Sequence, residues 1–449
     1  MTARAEVTPL RVAARAWFLI SLQTFGGPAG QIAVMHRELV DERRWFNEAR
    51  FLHALNYCML LPGPEAQQLA TYLGWLLNGT LGGLIAGALF VLPGFLAILA
   101  LSVVYALYGE TTAVAALFAG AAPAVVAIVA SAVVRVAQRA VRNGVLVLIA
   151  VSAFVALFAF AIPFPAVVVA AGIAGAIGAR LAPTAFGAPT HDAPSGGDER
   201  VEIALHHVAP SWRRAATVVA TGLFVWALPV AISVAVFGRD SIFVTQALFF
   251  SGAAVVTFGG AYAVLAYVAQ RAVSTYHWLL PGEMLRGLAM AETTPGPLIQ
   301  VVQFVGFIGA YRAPGELDPL VAGVLASVLV TWVTYVPCFV WIFLGAPHIE
   351  ALRNDRRLNG ALAGITAAVV GVIANLAVFF AVHTMFDDVG EARWGIVRLP
   401  RPDLATLDVR AVAVAALAAV LLLRLRWSVV RTLGFCVVGG AGLHLASGA

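Results

Sequence analysis

Two short stretches decide the fold of this chain, Pro62-Gly63-Pro64-Glu65-Ala66-Gln67 and Pro295-Gly296-Pro297-Leu298-Ile299-Gln300. Each stands near the middle of a long apolar segment. Proline lacks an amide donor and clashes with the preceding helical turn, so both helices should break here. In hydrocarbon, the freed backbone groups must find partners or line a polar cavity. The motifs predict broken helices whose downstream parts point free N–H groups at a ligand; the alternative is a pair of packing kinks.

The composition around these motifs is that of a membrane protein. Of 449 residues, 61% are apolar and 11% are charged, and the mean hydropathy is +0.90. A soluble domain has roughly 45–50% apolar and about 25% charged residues. The 28 basic residues are all Arg, and the net charge of +5 could favour anions or simply reflect orientation in the membrane. We therefore predict an all-α polytopic membrane protein.

Apolar runs of about 20 residues, the length that crosses a bilayer, predict about thirteen transmembrane helices. The runs are Trp17–Met35, Phe51–Leu77, Leu81–Tyr108, Thr112–Val134, Gly144–Ala161, Pro163–Leu181, Thr217–Phe237, Phe243–Ala269, Met284–Ala310, Pro319–Leu344, Leu358–His383, Val409–Leu423 and Ser428–Ala446. With this count, the positive-inside rule places the N-terminus in the cytoplasm and the C-terminus outside. The loop from His36 to Arg50 would then lie outside, as a short amphipathic helix at the interface.

The chain contains an internal repeat. Thr24-Phe25-Gly26-Gly27 recurs as Thr257-Phe258-Gly259-Gly260, and the two Pro-Gly-Pro motifs recur at the same separation. After an insertion around Tyr311 to Pro319, a slightly longer separation continues the register. Separate motifs held at one spacing indicate duplication rather than chance.

The two copies are predicted to be inverted. Seven segment steps separate their opening helices, and an odd number of crossings turns the second copy over, as in many secondary transporters. The predicted organisation is an N-terminal repeat over 1–181, a polar linker plus a connecting transmembrane helix over 182–240, and a C-terminal repeat over 241–449. The inversion depends on every segment crossing the membrane.

Backbone and amide groups of both copies form the candidate substrate site. A helix N-terminus attracts anions through unpaired donors and a macrodipole of about half a charge. Amide side chains could bind oxygens without a fixed charge, although interhelical hydrogen bonding is their alternative role. The predicted substrate-binding residues are Gly26, Gly27, Pro62, Gly63, Pro64, Gln67, Gln68, Gly259, Gly260, Pro295, Gly296, Pro297 and Gln300.

Two carboxylates are candidates for proton coupling. Glu65 directly follows the first Pro-Gly-Pro, and Glu292 lies three residues before the second. Ionisable groups within membrane segments are costly, which points to a function. A carboxylate here would repel an anion unless protonated, so one or both should take up and release the coupling proton. The alternatives are helix capping by Glu65 and an ion pair between Glu292 and Arg286.

No cofactor or metal site is predicted. Neither the cysteines nor the histidines of the apolar segments have metal, redox or disulfide spacing. The chain also lacks the nucleotide-binding loop GxxxxGK[ST], which disfavours an ATP-driven pump. We expect a transporter rather than an enzyme, with no nucleic-acid partner. The oligomeric state stays open, a homodimer being one option.

Taken together, these features resemble the chromate ion transporter family, in its long bidomain form. The resemblance rests on Phe25-Gly26-Gly27-Pro28, on the two Pro-Gly-Pro-x-x-Gln motifs and on the duplicated layout, and it covers nearly the whole chain. It implies an antiporter of the bacterial inner membrane that exports chromate to the periplasm, uses the proton-motive force and confers chromate resistance, with sulfate as competitor. The second copy departs from the first, because Ala261 replaces Pro28 and Leu298 replaces Glu65.

Two other functions remain open from the sequence. A sulfate or molybdate permease would need the same polar pocket for a tetrahedral dianion. A membrane enzyme acting on phosphate-bearing lipids would also want a basic cavity, but it should carry an Arg/His/Asp cluster near one interface, and the sequence shows none.

Overall fold

The protein is a bundle of helices with one small β-hairpin. The computed structural model describes residues 8–25, 27–59, 61–109, 111–186, 211–258, 261–346 and 355–446. The helices are α1 Leu10–Ser21, α2 Gly27–His36, α3 Glu48–Cys58, α4 Glu65–Tyr108, α5 Thr112–Ala140, α6 Gly144–Phe158, α7 Phe164–Leu181, α8 Pro183–Phe186, α9 Trp212–Phe237, α10 Ile242–Val255, α11 Ala261–Ser274, α12 Glu283–Thr293, α13 Val301–Arg312, α14 Pro319–Gly345, α15 Arg356–Met385, α16 Val409–Ala419 and α17 Val429–Ala446. Strands β1 Val389–Trp394 and β2 Val397–Pro402 pair antiparallel between α15 and α16.

Six of the described helices are long and apolar enough to cross a membrane. They are α4, α5, α7, α9, α14 and α15. The all-α polytopic class is therefore confirmed, whereas the count of about thirteen crossings is not. Four of the thirteen predicted segments are each divided into two helices: Trp17–Met35, Phe51–Leu77, Phe243–Ala269 and Met284–Ala310. Three others correspond to α6, α16 and α17, which are not among the six.

Both Pro-Gly-Pro motifs interrupt their helices, as predicted. In the first copy α3 ends at Cys58 and α4 begins at Glu65. In the second copy α12 ends at Thr293, and a short 3-10 helix, Leu298–Gln300, precedes α13. The prolines supply no N–H to a continuous helix, so the chain leaves helical geometry there.

At each Pro-Gly-Pro the chain turns back on itself, and we call the result a proline hairpin. In the second copy, Arg312 at the end of α13 forms an ion pair with Glu283 at the start of α12, and Gly287 packs against Phe304 midway. The outer ends of α12 and α13 therefore lie together, with the Pro-Gly-Pro at the opposite tip. The segment Met284–Ala310 is a hairpin rather than one crossing.

The first copy repeats this arrangement with α3 and the first arm of α4, residues 65–77. Tyr57 and Tyr72 bring the two arms together, with ring centroids 5.1 Å apart. The long helix α4 is itself two helices, because Asn78 and Gly79 are non-helical and Gly79 has φ +65°. Gly74 then packs against Gly82, so the second arm, residues 80–108, runs back along the first.

The Thr-Phe-Gly-Gly motifs also stand at the tips of folded-back pairs, which we call glycine hairpins. In the first, α1–α2, the side chain of Gln23 accepts a hydrogen bond from Arg37 beyond the end of α2, so α2 turns back. In the second, α10–α11, the rings of Phe249 and Tyr267 lie 5.4 Å apart across the two helices. The predicted continuous helices through these motifs are therefore wrong, since each predicted segment is a folded-back pair of helices.

The two hairpins of the first copy return the chain to the side from which it started. The Asn78 side chain, after the proline hairpin, donates a 2.7 Å hydrogen bond to the carbonyl of Thr8, just before α1. We call this the Thr8 side, and the opposite side, where Tyr105 at the end of α4 meets Glu283, the Glu283 side.

This geometry keeps the predicted inversion but changes its cause. Two of the seven predicted steps are hairpins, which leaves the second arm of α4, α5, α6, α7 and α9 between the copies, still an odd number. The equivalent helices of the two copies run antiparallel where they meet: Gly83 packs against Phe343 and Gly87 against Phe339. The two copies are related by an axis across the bundle, which is an inverted repeat.

Two predicted connections differ from expectation. The loop from His36 to Arg50 forms a π-helical turn, Arg37–Glu42, and then the start of α3, instead of a separate amphipathic helix. Most of the predicted linker lies outside the described residues. Its first part forms the short helix α8, and the connecting helix α9 begins at Trp212, earlier than predicted.

Candidate functional site

The tips of the hairpins meet in the middle of the bundle. The N–H of Gly63, in the first proline tip, donates a 2.7 Å hydrogen bond to the carbonyl of Thr257 in the second glycine tip. The N–H of Gly296 donates a 3.0 Å hydrogen bond to the carbonyl of Thr24. Since Gly63 and Gly296 are repeat equivalents, as are Thr24 and Thr257, each proline tip binds the glycine tip of the other copy.

Glycine is required at the centre of each proline tip. Gly63 has φ +129° and Gly296 has φ +102°, a region that side chains with a Cβ rarely adopt. The space is also tight. A Cβ on Gly63 would collide with Cys338 of α14, and Gly94 of α4 packs directly against the backbone of Gly296. The two middle glycines are thus fixed both by backbone conformation and by contact with the other copy.

A small cavity lies between the tips. Its walls come from the first residues of helices in both copies: Pro28, Gln31, Pro64, Glu65, Ala66, Ala261, Pro297, Leu298 and Ile299. Helices α2, α4 and α11 and the 3-10 helix all begin here, and helix starts carry unpaired N–H groups and partial positive charge. The space for the centre of a water-sized sphere is about 10 Å³, room for roughly one water molecule. An oxyanion would need the tips to separate.

The two predicted coupling carboxylates have different surroundings. Glu65 lines the cavity in the first turn of α4. Glu292 is buried, accepts a 2.5 Å hydrogen bond from the Tyr262 hydroxyl on one carboxylate oxygen, and has no partner in the described chain for the other. That free oxygen faces Gly27 at the start of α2. The alternative pairing of Glu292 with Arg286 is wrong.

The predicted glutamines stabilise the tips instead of facing the cavity. The amino group of Gln68 donates to the carbonyl of Pro62, that of Gln67 to Thr71, and that of Gln300 to Gln303. Each of these amides therefore already uses at least one of its two N–H donors within the protein. Gln31 was not among the predicted binding residues, yet it lines the cavity and donates a 2.6 Å hydrogen bond to the Gly296 carbonyl.

Of the other predicted binding residues, Pro64 and Pro297 line the cavity. Pro62, Gly63, Pro295 and Gly296 shape the tips behind it, and Gly27 lies beside Glu292. Gly26, Gly259 and Gly260 lie outside the described residues. Thr24 and Thr257 bind the tips together and were not among the predicted binding residues. Their repetition in the Thr-Phe-Gly-Gly motif was the signal that could have identified them, but only the glycines of that motif were predicted to bind.

Two arginines of α5 stand near the carboxylates. Arg139 is close enough to Glu65, and Arg135 to Glu292 and Tyr262, for direct electrostatic interaction. Both arginines are exposed. The Arg135 side chain donates a 2.8 Å hydrogen bond to the Ser131 hydroxyl. The predicted helix ended at Val134, which would place both arginines in a loop, whereas α5 continues to Ala140.

A polar cluster ties the second proline hairpin to α4 at the Glu283 side. Arg312 holds both oxygens of Glu283, at 2.6 and 2.7 Å. The Tyr105 hydroxyl of α4 donates to the same carboxylate at 2.7 Å and accepts from Arg286 at 2.9 Å. Glu283 and Arg286 are thus part of an interhelical network.

The comparisons with known proteins agree with this architecture. The profile of the family described as "Chromate transporter" matches residues 12–176 and again 244–443, the two repeats. The chain is 32% identical over 359 residues to "Chromate transport protein" of Pseudomonas aeruginosa, covering 78% of this chain and 76% of that protein. It is 27% identical to "Chromate transport protein" of Cupriavidus metallidurans, covering 81% and 80%.

A further relative is "Probable chromate transport protein" of Synechococcus elongatus, 29% identical with 81% of this chain and 82% of that protein covered. No solved structure matches the chain. The family profile matches both halves of the chain, and the two halves bind each other through equivalent motifs. This chain belongs to the chromate transporter family.

Proposed function

We propose that this protein is a secondary active transporter that exports chromate from the bacterial cytoplasm, uses the proton-motive force and confers chromate resistance. The observation that carries the proposal is the cavity where four helix starts converge between two inverted repeats. The similar proteins named for chromate transport supply the substrate. A multi-pass membrane protein with a central polar break suits transport rather than catalysis.

The cavity suits a tetrahedral dianion. Its walls offer helix N-termini and no fixed positive charge, so an anion can be attracted without being held permanently. Sulfate has the same shape and charge, and we propose it as a competitor. The interior-negative membrane potential would favour outward movement of a dianion, by about 2.3 kcal/mol for each charge per 100 mV.

Glu65 and Glu292 are the proposed proton carriers. An ionised carboxylate on the cavity wall would repel chromate, so the protonation state of Glu65 should change between the loaded and the empty site. Glu292 has one free oxygen beside the tip and a tyrosine donor on the other, which suits a second protonatable group. The sign of the response to a pH gradient then distinguishes antiport from cotransport.

We also propose that the N-terminus is cytoplasmic, the C-terminus periplasmic, and that the repeats are 1–181 and 241–449, joined through 182–240. The positive-inside rule favours this orientation. Arginines at the ends of described elements on the Thr8 side are Arg11, Arg37, Arg43, Arg44, Arg50, Arg139, Arg142, Arg180, Arg213, Arg214, Arg356, Arg357, Arg424, Arg426 and Arg431. Those on the Glu283 side are fewer: Arg239, Arg271, Arg286, Arg312, Arg393, Arg398, Arg401 and Arg410.

The thirteen-helix prediction placed the loop from His36 to Arg50 outside although it contains four arginines, which the positive-inside rule disfavours. The hairpin geometry removes this conflict. Because the glycine hairpin returns to the Thr8 side, the arginines of this loop join the cytoplasmic set.

The test is transport of chromate and sulfate in proteoliposomes with an imposed pH gradient, comparing the wild type with Glu65→Gln. We expect chromate flux that responds to the gradient in the wild type and loses that response in the variant. Absence of chromate flux in the wild type would overturn the proposed substrate. Flux that ignores the gradient in both proteins would overturn proton coupling.

A further inference from the structure

Arg135 and Arg139 lie one helical turn apart on α5, at the end of the helix that reaches the Thr8 side. That side follows from the direction of α5, because α4 ends at the Glu283 side, where Tyr105 meets Glu283, and α5 begins there at Thr112. Both arginines are exposed, yet both stand within electrostatic range of the tip carboxylates. Exposed guanidinium groups on a membrane helix are costly in lipid and normally face water. Exposure of both guanidinium groups therefore favours contact with water over contact with lipid tails.

The inverted copy lacks this charge. The repeat register that pairs Gly120 with Gly364 places Phe379 opposite Arg135 and His383 opposite Arg139. The rings of Phe379 and His383 are in tilted contact with centroids 4.3 Å apart, and His383 is hydrogen-bonded to the Phe379 carbonyl at 2.8 Å. Because the copies are inverted, these positions are at the Glu283 side. At this pair of equivalent positions the first copy carries two fixed cations and the second carries none.

We infer that Arg135 and Arg139 form an anion-collecting mouth on the Thr8 side, which captures the oxyanion and passes it to the hairpin tips. The inference rests on the proposed function, and it adds an asymmetry that the duplicated tips do not supply. A cleft with one sign of charge raises the local concentration of its ligand and the association rate by 10–1,000-fold. The equivalent positions of the second copy, Phe379 and His383, carry no arginine, so an anion that leaves past them is not recaptured there.

The position of both arginines outside the cavity wall supports this role over direct binding of the anion in the cavity. Neither arginine belongs to the cavity wall, where a permanent cation would hold the dianion too tightly for release. At physiological salt, electrostatic attraction persists over about 8 Å, enough for a mouth that stands beside the tips. Arg135 is also oriented by Ser131, one turn earlier on the same helix.

The first experiment measures radiolabelled chromate uptake into inverted vesicles, in which the proposed cytoplasmic side faces the medium. We expect the double variant Arg135→Gln with Arg139→Gln to raise the apparent KM about tenfold, with the maximal rate little changed. The Lys double variant should retain most of the wild-type KM. The dependence of KM on ionic strength should weaken in the Gln variant, a result that a purely structural role would not produce.

Arg142→Gln is the matched control. Arg142 is an exposed arginine just past the same helix end, and its side chain donates to the carbonyl of Arg139. It should leave KM unchanged. An unchanged KM in the Arg135/Arg139 double Gln variant, or an equal rise in Arg142→Gln, would overturn the mouth.

A second experiment does not depend on the substrate. Arg139→Cys should react with charged thiol reagents added at the Thr8 side only. The native Cys58, Cys338 and Cys436 are buried, so we expect the new thiol to account for the reaction. We expect an anionic reagent to react faster than a cationic one, and the preference should fall when Arg135 is also changed to Gln. No reaction, or reaction without this preference, would contradict the mouth even if chromate proved not to be the substrate. Failure of chromate transport with the thiol result intact would contradict only the proposed function.

Discussion

The backbone N–H of Gly296 donates a 3.0 Å hydrogen bond to the carbonyl of Thr24, and this contact has an equivalent between Gly63 and Thr257 at 2.7 Å. Each contact joins the proline tip of one copy to the glycine tip of the other. Opening a path to one side of the membrane can break one of them while the other stays intact. Alternating access between two equivalent packings is the usual use of inverted repeats.

The tip glycines should be essential for transport. Alanine at Gly63 or Gly296 would have to adopt a positive φ, which costs about 1–2 kcal/mol, and its Cβ would collide with the other copy. We expect chromate flux to be lost. Gly395→Ala is the control, because Gly395 also has a positive φ, +61°, but stands in the exposed β-turn with nothing within 4 Å of an added Cβ. Normal flux in the tip variants would contradict the tip contacts.

Removing the Tyr262 hydroxyl should change the pH dependence of transport. Tyr262→Phe takes away the one hydrogen-bond donor that the described structure gives to Glu292, and a proton carrier depends on such donors. The pH of half-maximal chromate flux should therefore move. Tyr335→Phe serves as control, since that buried hydroxyl has no partner among the described residues. The same pH profile in Tyr262→Phe and wild type would exclude Glu292 as a carrier.

Gln31→Leu should weaken the contact between the copies. It leaves the buried carbonyl of Gly296 without the 2.6 Å amide bond, which costs about 1–3 kcal/mol. We expect slower transport and a lower melting temperature in detergent. Gln138→Leu, at an exposed position of α5, should change neither quantity. Equal melting temperatures for both variants would show that Gln31 does not hold the tip.

Arg312→Gln should destabilise the second proline hairpin. It leaves Glu283, which is 3% exposed, without its cation, at a cost of about 3 kcal/mol. The midpoint of thermal unfolding should fall, and exchanging the two charges, Glu283→Arg with Arg312→Glu, should recover part of the loss. Arg393→Gln, which breaks an exposed pair with Glu391, should leave the midpoint unchanged. A fall no larger than in that control would contradict the hairpin geometry.

The sequence could predict the helix breaks and the duplication, because proline chemistry and motif spacing are local signals. It could not predict that the Thr-Phe-Gly-Gly segments reverse. An apolar run of crossing length has the same composition whether it crosses or forms a hairpin, and the deciding contacts, such as Asn78 with Thr8, join distant residues. The inversion was predicted correctly from an incorrect crossing count, since two hairpins remove two steps and leave the parity odd.

Side-chain roles were harder to predict than backbone breaks. Gln67, Gln68 and Gln300 lie in or beside the repeated motifs and so suggested ligand contacts. Gln68 instead donates to the backbone carbonyl of Pro62 in the break, and Gln67 and Gln300 donate to the side chains of Thr71 and Gln303. Arg135 and Arg139 follow an apolar run and look like the end of a loop by composition. Only the length of α5 and its packing bring them near Glu65 and Glu292.

The central claim is that chromate occupies the space between the four hairpin tips. X-ray diffraction from crystals grown with chromate, collected at the chromium absorption edge, locates the metal without ambiguity. We predict one strong chromium peak beside Glu65, within hydrogen-bond reach of the starts of α2, α4 and α11, with the tips moved apart. A chromium peak elsewhere, with the tip cavity still closed, would contradict the claim.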